Sequence, residues 1–422
     1  MRVAWLGPTP SDHGGAPFVG TQLLLGLARA GVEVDCFVAA PPHDLPMRLF
    51  AEPRIGLHCI ESGWNWGRWY SRTPMVSFFS GHAARAKTQL TLADEIARRH
   101  RENPYDVVYQ FSQSEMLSLR RRASELPPIL VHPSTHAAGE LRWHRREAAL
   151  SKRCEPARKR LLVRAMLTGR ALVQRRDIHL ATRVVGVSQR FIEHLESDYR
   201  IPRERLGAVR NPIDLDRFQP GSGAPSGRPL ELLYVSRMSV RKGVEMVVDL
   251  SHRLADLEGR VRIRAIGGCT MWSDYRPLLD ELNGGIATYE GALSPAGLSE
   301  AYRTAAAVLQ PSHYEPFALT VGEGLASGVP TVASDEVGAI DGLDPRVCRV
   351  FPAGDAEGFE REVRTLVAEL EDGRGAELAP VARAEAERLF APDVVTAELI
   401  EELRIAAGLT DRVAAPEPAP AA

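Results

Sequence analysis

Short apolar runs alternate with longer stretches of helical spacing along this chain, and the alternation starts twice. RVAWL (2–6) reads as a strand buried on both faces. A Gly/Pro-rich loop, GPTPSDHGGAP, comes next, then FVGTQLLLGLARAG with apolar residues at helical spacing, then a second apolar run, VEVDCFVA. Further strands are predicted at 106–110 (DVVYQ), 129–131 and 183–187 (RVVGV). IPRERLGAVRNPIDLDRF reads as the exit from this first unit. PGSGAPSGRP (220–229) has the composition of a linker. Beyond it the alternation restarts: ELLYVSR as a strand, MSVRKG as a loop, VEMVVDLSHRLADL as a helix and VRIRAIGG as a strand, with ATYEG, AAAVLQPS and VPTVAS as later strands. A helix is predicted over 391–409, and the Pro/Ala-rich residues 410–422 read as a disordered tail.

Strand–loop–helix–strand units of this kind predict two Rossmann-like α/β domains, 1–219 and 230–390, with the helix 391–409 after them. At 422 residues, each domain is large enough for a full core. The formal net charge of −2 supplies no global field for nucleic acid, so none is expected as a partner. The five cysteines are scattered and never form Cys-x-x-Cys, which predicts reduced thiols in a cytoplasmic protein rather than disulfides or a zinc site. One local bias stands out: residues 140–177 carry twelve Lys/Arg against four acids, a balance of +8. A solvated helix face is the commoner meaning of such a run. The sharper one is a surface for an anionic acceptor or for lipid headgroups at the inner face of a membrane.

In open α/β sheets, ligands bind beyond the carboxyl ends of the strands. At those ends Arg237 closes LLYVSR and Lys242 stands at the start of the next helix, two cations suited to a diphosphate. Alone they are ordinary surface charges, with Arg241 a third beside them. The stretch SHYEPFALTVGEGLASGVPTVASD is more specific. Glu315 and Glu323 are separated by seven residues, and a helix begins between them at Phe317–Thr320. First-turn amides have no intrahelical partner, so they can meet a phosphate or a sugar hydroxyl. A carboxylate at Glu323 could accept from both hydroxyls of a ribose, and the glycines allow close approach.

These motifs resemble the retaining glycosyltransferases of family 4, which have the GT-B fold. The likeness is carried by LYVSRMSVRKG, by YEGALSPAGLSEAYRTAAAVLQPS and by the E-x7-E stretch, and more loosely by the GG loop, VVGVS and NPIDLDRF. It implies two Rossmann-like domains facing each other across a donor-binding cleft, with the C-terminal helix crossing back to the first domain. It implies transfer of a sugar from a nucleoside-diphosphate sugar to an acceptor hydroxyl, with retention and with neither metal nor cofactor. Arg237 and Lys242 would hold the diphosphate and Glu323 the ribose. Glu315 would touch the donor sugar, aided by the amides of Phe317, Ala318 and Leu319, and Gly14 and Gly15 would bring the first-domain loop over the ligands. A first-domain histidine faces the sugar in this family; ILVHPSTHAAGE offers His132 and His136, and His136 is favoured because it lies further beyond the strand. Ala318 stands where the family has glycine. Residues 336–341 (EVGAID) also depart from the family pattern.

Three rivals compete with this reading. A metal-dependent transferase would use Asp214-Leu-Asp216, which sits in the interdomain exit. A non-catalytic nucleotide-sugar sensor would keep most of the same residues. A nicotinamide dehydrogenase would need a glycine fingerprint that the chain lacks in the right context. The acceptor stays open between a lipid-linked or anionic molecule and a soluble one. The aromatic-rich residues 61–81 are equally an acceptor platform or a core cluster.

Overall fold

The computed structural model describes residues 1–61, 74–113, 115–221, 229–269 and 274–409. The linker residues 222–228, the aromatic segment 62–73 and the tail 410–422 lie outside them. Two wholly parallel sheets are present. The first contains β1 (Arg2–Leu6), β2 (Glu33–Val38), β3 (Ile55–Cys59), β4 (Val107–Ser112), β5 (Ile129–Pro133), β6 (Arg183–Gly186) and β7 (Leu206–Ala208), in the order β3-β2-β1-β4-β5-β6-β7. The second contains β8 (Leu230–Val235), β9 (Val261–Ile266), β10 (Ala287–Gly291), β11 (Ala307–Gln310), β12 (Thr331–Ser334) and β13 (Cys348–Phe351), in the order β10-β9-β8-β11-β12-β13.

Helices cover both faces of each sheet, which is why the strands are apolar throughout: Val3, Ala4 and Trp5 are fully buried, as are Leu232, Leu233 and Tyr234 in the corresponding strand of the second domain. Strands β3, β7 and β13 were not predicted. The first is only half-buried after Ile55, the second has three residues and the third exposes Val350, so none shows a buried apolar run. The basic stretch is not one helix. It divides into Ala137–Arg146, Ala148–Ser151 and Ala157–Asp177, and Pro156 stands just before the last of these.

Helix Pro392–Ala407 returns to the first domain. Its Val395, Leu399 and Leu403 are fully buried in the same core as Leu23, Leu24 and Leu27 of helix Ala16–Arg29. The two helices approach so closely that any side chain at Gly26 would collide with Thr396. Arg183 binds Glu402 (2.6 Å) and Arg210 binds Glu398 (2.7 Å), fixing the helix at its edges.

The domains also meet directly. Ser188 donates its hydroxyl to the Pro316 carbonyl (2.8 Å). The Asp341 carboxylate accepts from the Gln189 amide (2.8 Å), so the second domain caps a first-domain helix, Gln189–Tyr199. His194 pairs with Glu336 (2.9 Å), and Trp143 stacks on His313 with ring centroids 4.9 Å apart. The divergent residues 336–341 thus include two contacts that join the domains.

Among the described residues three non-glycines have positive φ: Ser112 (67°), Arg200 (56°) and Ala318 (81°). Arg200 is an ordinary left-handed helix cap. Ser112 ends β4, and Ala318 directly precedes helix Leu319–Ala326. Replacing Ala318 with glycine should raise stability by roughly 0.5–1 kcal/mol, the left-handed penalty less glycine's extra chain entropy. Ala318→Val should lower it, because a β-branched residue tolerates positive φ least. Denaturant melts of both variants check this; a glycine variant that melts below the parent would contradict it.

Candidate functional site

Strand order changes direction between β1 and β4 in the first sheet, and between β8 and β11 in the second. At such switch points the loops leaving adjacent strands diverge and open a crevice. The two crevices face each other and form one cavity of about 450 Å³. The first domain lines it with Gly15 and Ala16 after β1, Ser112 of β4, Ser134 and Thr135 after β5, Glu140, and Asn211. The second lines it with Ser236, Arg237, Arg241 and Lys242 after β8, Gln310 of β11, and the run Glu315–Thr320.

All three lining cations therefore come from one loop. Gly243 closes that loop with φ 77°, and any side chain there would strike the Pro311 carbonyl. Arg237 projects into solvent at the rim and forms no ion pair with a described residue. Arg241 is turned inward: it donates to the Tyr314 carbonyl (2.7 Å), which fastens the β8 loop to the β11 loop. Lys242 forms an ion pair with Glu315. Burial and the neighbouring Arg241 and Arg237 push its pKa well below the usual lysine range, and Glu140 acts in the opposite sense.

Glu315 is held by its own backbone. Its amide donates to the Glu336 carbonyl (3.2 Å) and its carbonyl accepts from Gly338 (3.0 Å), and Ala339 donates to Phe317 (2.7 Å). The segment leads into helix Leu319–Ala326, whose first-turn amides have no acceptor within the helix. Thr320 donates to Gln310 Oε1 (2.8 Å), and Gln310 donates to Ser312 (2.7 Å), which ties the helix start to the strand end.

The predicted residues divide. Gly15, Arg237, Lys242, Glu315, Phe317, Ala318 and Leu319 line the cavity together. Gly14 does not, although its φ of 90° requires glycine and sets the course of the loop. Glu323 lies past the first turn, outside the lining residues. Its Oε2 accepts from the Tyr302 hydroxyl (2.9 Å), and burial raises its pKa.

His136 lies away from the cavity lining. Only Ser134, Thr135 and His136 stand between β5 and the next helix, so His136 is that helix's cap and turns inward. It is fully buried, with Nδ1 against the Tyr314 hydroxyl (2.6 Å) and Nε2 against Asp198 (2.6 Å). It joins the domains and does not line the cavity. His132 is also buried, against the Tyr109 hydroxyl (2.9 Å), and burial pulls its pKa down to about 4. Of the rival metal motif, Asp214 caps the Arg217 amide (3.0 Å) and Asp216 is exposed, as a turn would have them.

Sequence reading missed Ser112, Ser134, Thr135, Glu140 and Asn211, and placed Arg241 among plain surface cations. The strand-end rule could have found Ser112 and Ser134. Asn211 is nine-tenths buried with its Oδ1 unpartnered, which no local pattern reveals.

Residues 13–217 match the family described as Glycosyltransferase Family 4, and residues 229–369 the family described as Glycosyl transferases group 1. The D-inositol 3-phosphate glycosyltransferase of Geodermatophilus obscurus is 26% identical over 385 residues, 86% of this chain and 80% of that protein. The GDP-mannose-dependent alpha-mannosyltransferase of Mycolicibacterium smegmatis is 30% identical over 201 residues, 45% of this chain and 48% of that one. Among solved structures, sucrose-phosphate synthase from Thermosynechococcus elongatus aligns over 97% of this chain and 100% of its own, with TM-score 0.72 and 19% identity. Anabaena HepE in complex with UDP aligns over 96% and 100%, with TM-score 0.63 and 16% identity. With paired parallel domains, a cleft at both switch points and these matches along most of its length, the chain belongs to the family 4, or group 1, glycosyltransferases and has their GT-B fold.

Proposed function

We propose that the protein transfers a sugar, with retention and without a metal, from a nucleoside-diphosphate sugar to an acceptor hydroxyl. The observation that carries this reading is the convergence in one cavity of a helix start, three cations of a single loop and the backbone-pinned Glu315. The diphosphate lies against Arg237, Lys242 and the first turn of helix Leu319–Ala326. There it meets two charges and a set of free amides. Lys242 exchanges Glu315 for a phosphate oxygen, which releases the Glu315 carboxylate to accept from hydroxyls of the donor sugar. The amides of Phe317, Ala318 and Leu319 border the same space. Glu323, with one oxygen held by Tyr302, offers the other to the ribose.

As the bond from the anomeric carbon to the phosphate oxygen breaks, negative charge grows on the departing diphosphate. Preorganised donors and cations are most effective where charge develops. The acceptor hydroxyl attacks from the face the diphosphate leaves, and its proton passes to the phosphate oxygen. The acceptor lies against Ser112, Ser134, Thr135, Glu140 and Asn211, which offer hydroxyl, amide and carboxylate groups to a polyhydroxylated molecule. Two relatives' names, an inositol-phosphate glycosyltransferase and a GDP-mannose-dependent mannosyltransferase, are in keeping with such chemistry.

Thermal shifts with UDP-, GDP-, ADP- and TDP-sugars in EDTA, with NMR of the product's anomeric proton afterwards, test the whole reading. One nucleotide should stabilise the protein, turnover should survive the chelator and the anomer should be retained. An inverted product, or activity that returns only with a divalent ion, would refute it. Lys242→Ala should weaken binding of the matching nucleoside diphosphate by about 2 kcal/mol, the scale of one charge-assisted hydrogen bond; unchanged affinity by calorimetry would remove Lys242 from the site.

The same lysine sets a pH dependence. A depressed lysine pKa means that the empty protein resists the charged form, whereas a bound diphosphate favours it. Binding should therefore take up a proton, and affinity should fall as pH rises through the depressed pKa, below the ordinary lysine range. Lys242→Met should bind weakly at every pH and lose that descending limb. A parent affinity that stays flat up to the ordinary lysine range would count against the assignment.

A further inference from the structure

Helix Ala157–Asp177 carries an exposed apolar stripe that the catalytic reading does not use. Leu161 is 70% exposed and Leu172 65% exposed. They stand eleven residues apart, about three helical turns, so their side chains leave the helix within about 20° of each other. Ala165 and Thr168 fall between them on the same face. Arg164 and Arg175 border the stripe on one side, and Arg158 and Arg176 on the other, each within about 60° of Leu161. The opposite face is internal: Gln174 is buried and accepts from the Ala137 amide (2.8 Å), and Asp177 is buried.

The exposed charges along this stripe are of one sign: between 157 and 177 the one acid is Asp177, which is buried. Arg98 is matched by Glu95 and Glu102, Arg364 by Asp256 and Glu360, and Arg388 by Glu385. Along the stripe, Arg176 pairs with its neighbour Asp177. Arg158, Arg164 and Arg175 have no acidic partner among the described residues. A face that existed only to stay soluble would not need two bare leucines framed by unmatched guanidiniums.

We propose that this face docks on the surface of an anionic lipid bilayer. Leu161 and Leu172 enter the boundary between headgroups and acyl chains, while the flanking arginines stay level with the phosphates. Among the described residues no helix is long and apolar enough to cross a membrane, so the contact is peripheral. A nucleic acid would engage the arginines but leave the leucines in water. A second copy, pairing the same face about a two-fold axis, would set arginine against arginine. The helix packs on Ala137–Arg146, which carries Glu140 into the cavity wall, so docking brings the acceptor side of the cleft close to the lipid.

Flotation of the full chain with vesicles tests this independently of catalysis. The protein should float with mixed phosphatidylcholine–phosphatidylglycerol vesicles, stay behind with phosphatidylcholine alone, and be released by high salt. Replacing Arg158, Arg164 and Arg175 together by glutamine should lower partitioning about a hundredfold, a factor of about five for each charge. The pair Leu161→Asp and Leu172→Asp should lower it by at least tenfold, with the melting temperature unchanged because both side chains are exposed. No flotation with the anionic vesicles would overturn the proposal, as would flotation that the leucine pair leaves intact. So would self-association in sedimentation velocity that the leucine pair abolishes.

Discussion

Every strand in both sheets runs parallel to its neighbours, and that directionality governs the rest of the molecule. Helix starts and strand ends gather at one edge of each sheet, where peptide dipoles leave uncompensated positive potential. The two domains turn those edges toward each other. The polar groups of the cavity are thus not scattered over the fold. They come from loops that had to emerge there, and the switch points select which loops stand far enough apart to admit a molecule.

Within that geometry the second domain holds an arrangement that is costly without a ligand. Lys242 is half-buried beside Arg237 and Arg241, with Glu315 as its counterion. Ala318 and Ser112 adopt backbone angles that side chains resist, one in each domain, and both line the same cavity. Strain and crowded charge persist only where surrounding structure enforces them. Here the enforcement is visible in the backbone hydrogen bonds from Glu315 and Phe317 to residues 336–339 and in the bond from Arg241 to Tyr314. The site is held in shape before any ligand arrives.

The alternating pattern of buried runs made the two domains legible from sequence, and the E-x7-E stretch made the second-domain wall legible. Those residues are consecutive in the chain, and their spacing reflects one strand–loop–helix unit. The first-domain wall was harder to read. It is assembled from one or two residues at a time, at the end of β4 and after β1, β5 and β7, and no local pattern connects Ser112 with Asn211. His136 shows the opposite: a residue type suited to the chemistry, in a loop of suitable position, is buried because only three residues separate β5 from the next helix and the third is that helix's cap. Arg241 was legible as a charge but not as a brace, since its partner is a carbonyl seventy-three residues away.

The return of helix Pro392–Ala407 has a mechanical consequence. The chain crosses between the domains twice, and the crossings touch: the Ile213 amide donates to the Phe390 carbonyl at 2.9 Å. Two adjacent crossings behave like the pins of a door. Rotation about the line through them is soft, whereas sliding and twisting must stretch one crossing against the other. Away from the crossings the halves are held by contacts that such a rotation would have to part, His136 with Tyr314 and His194 with Glu336 among them.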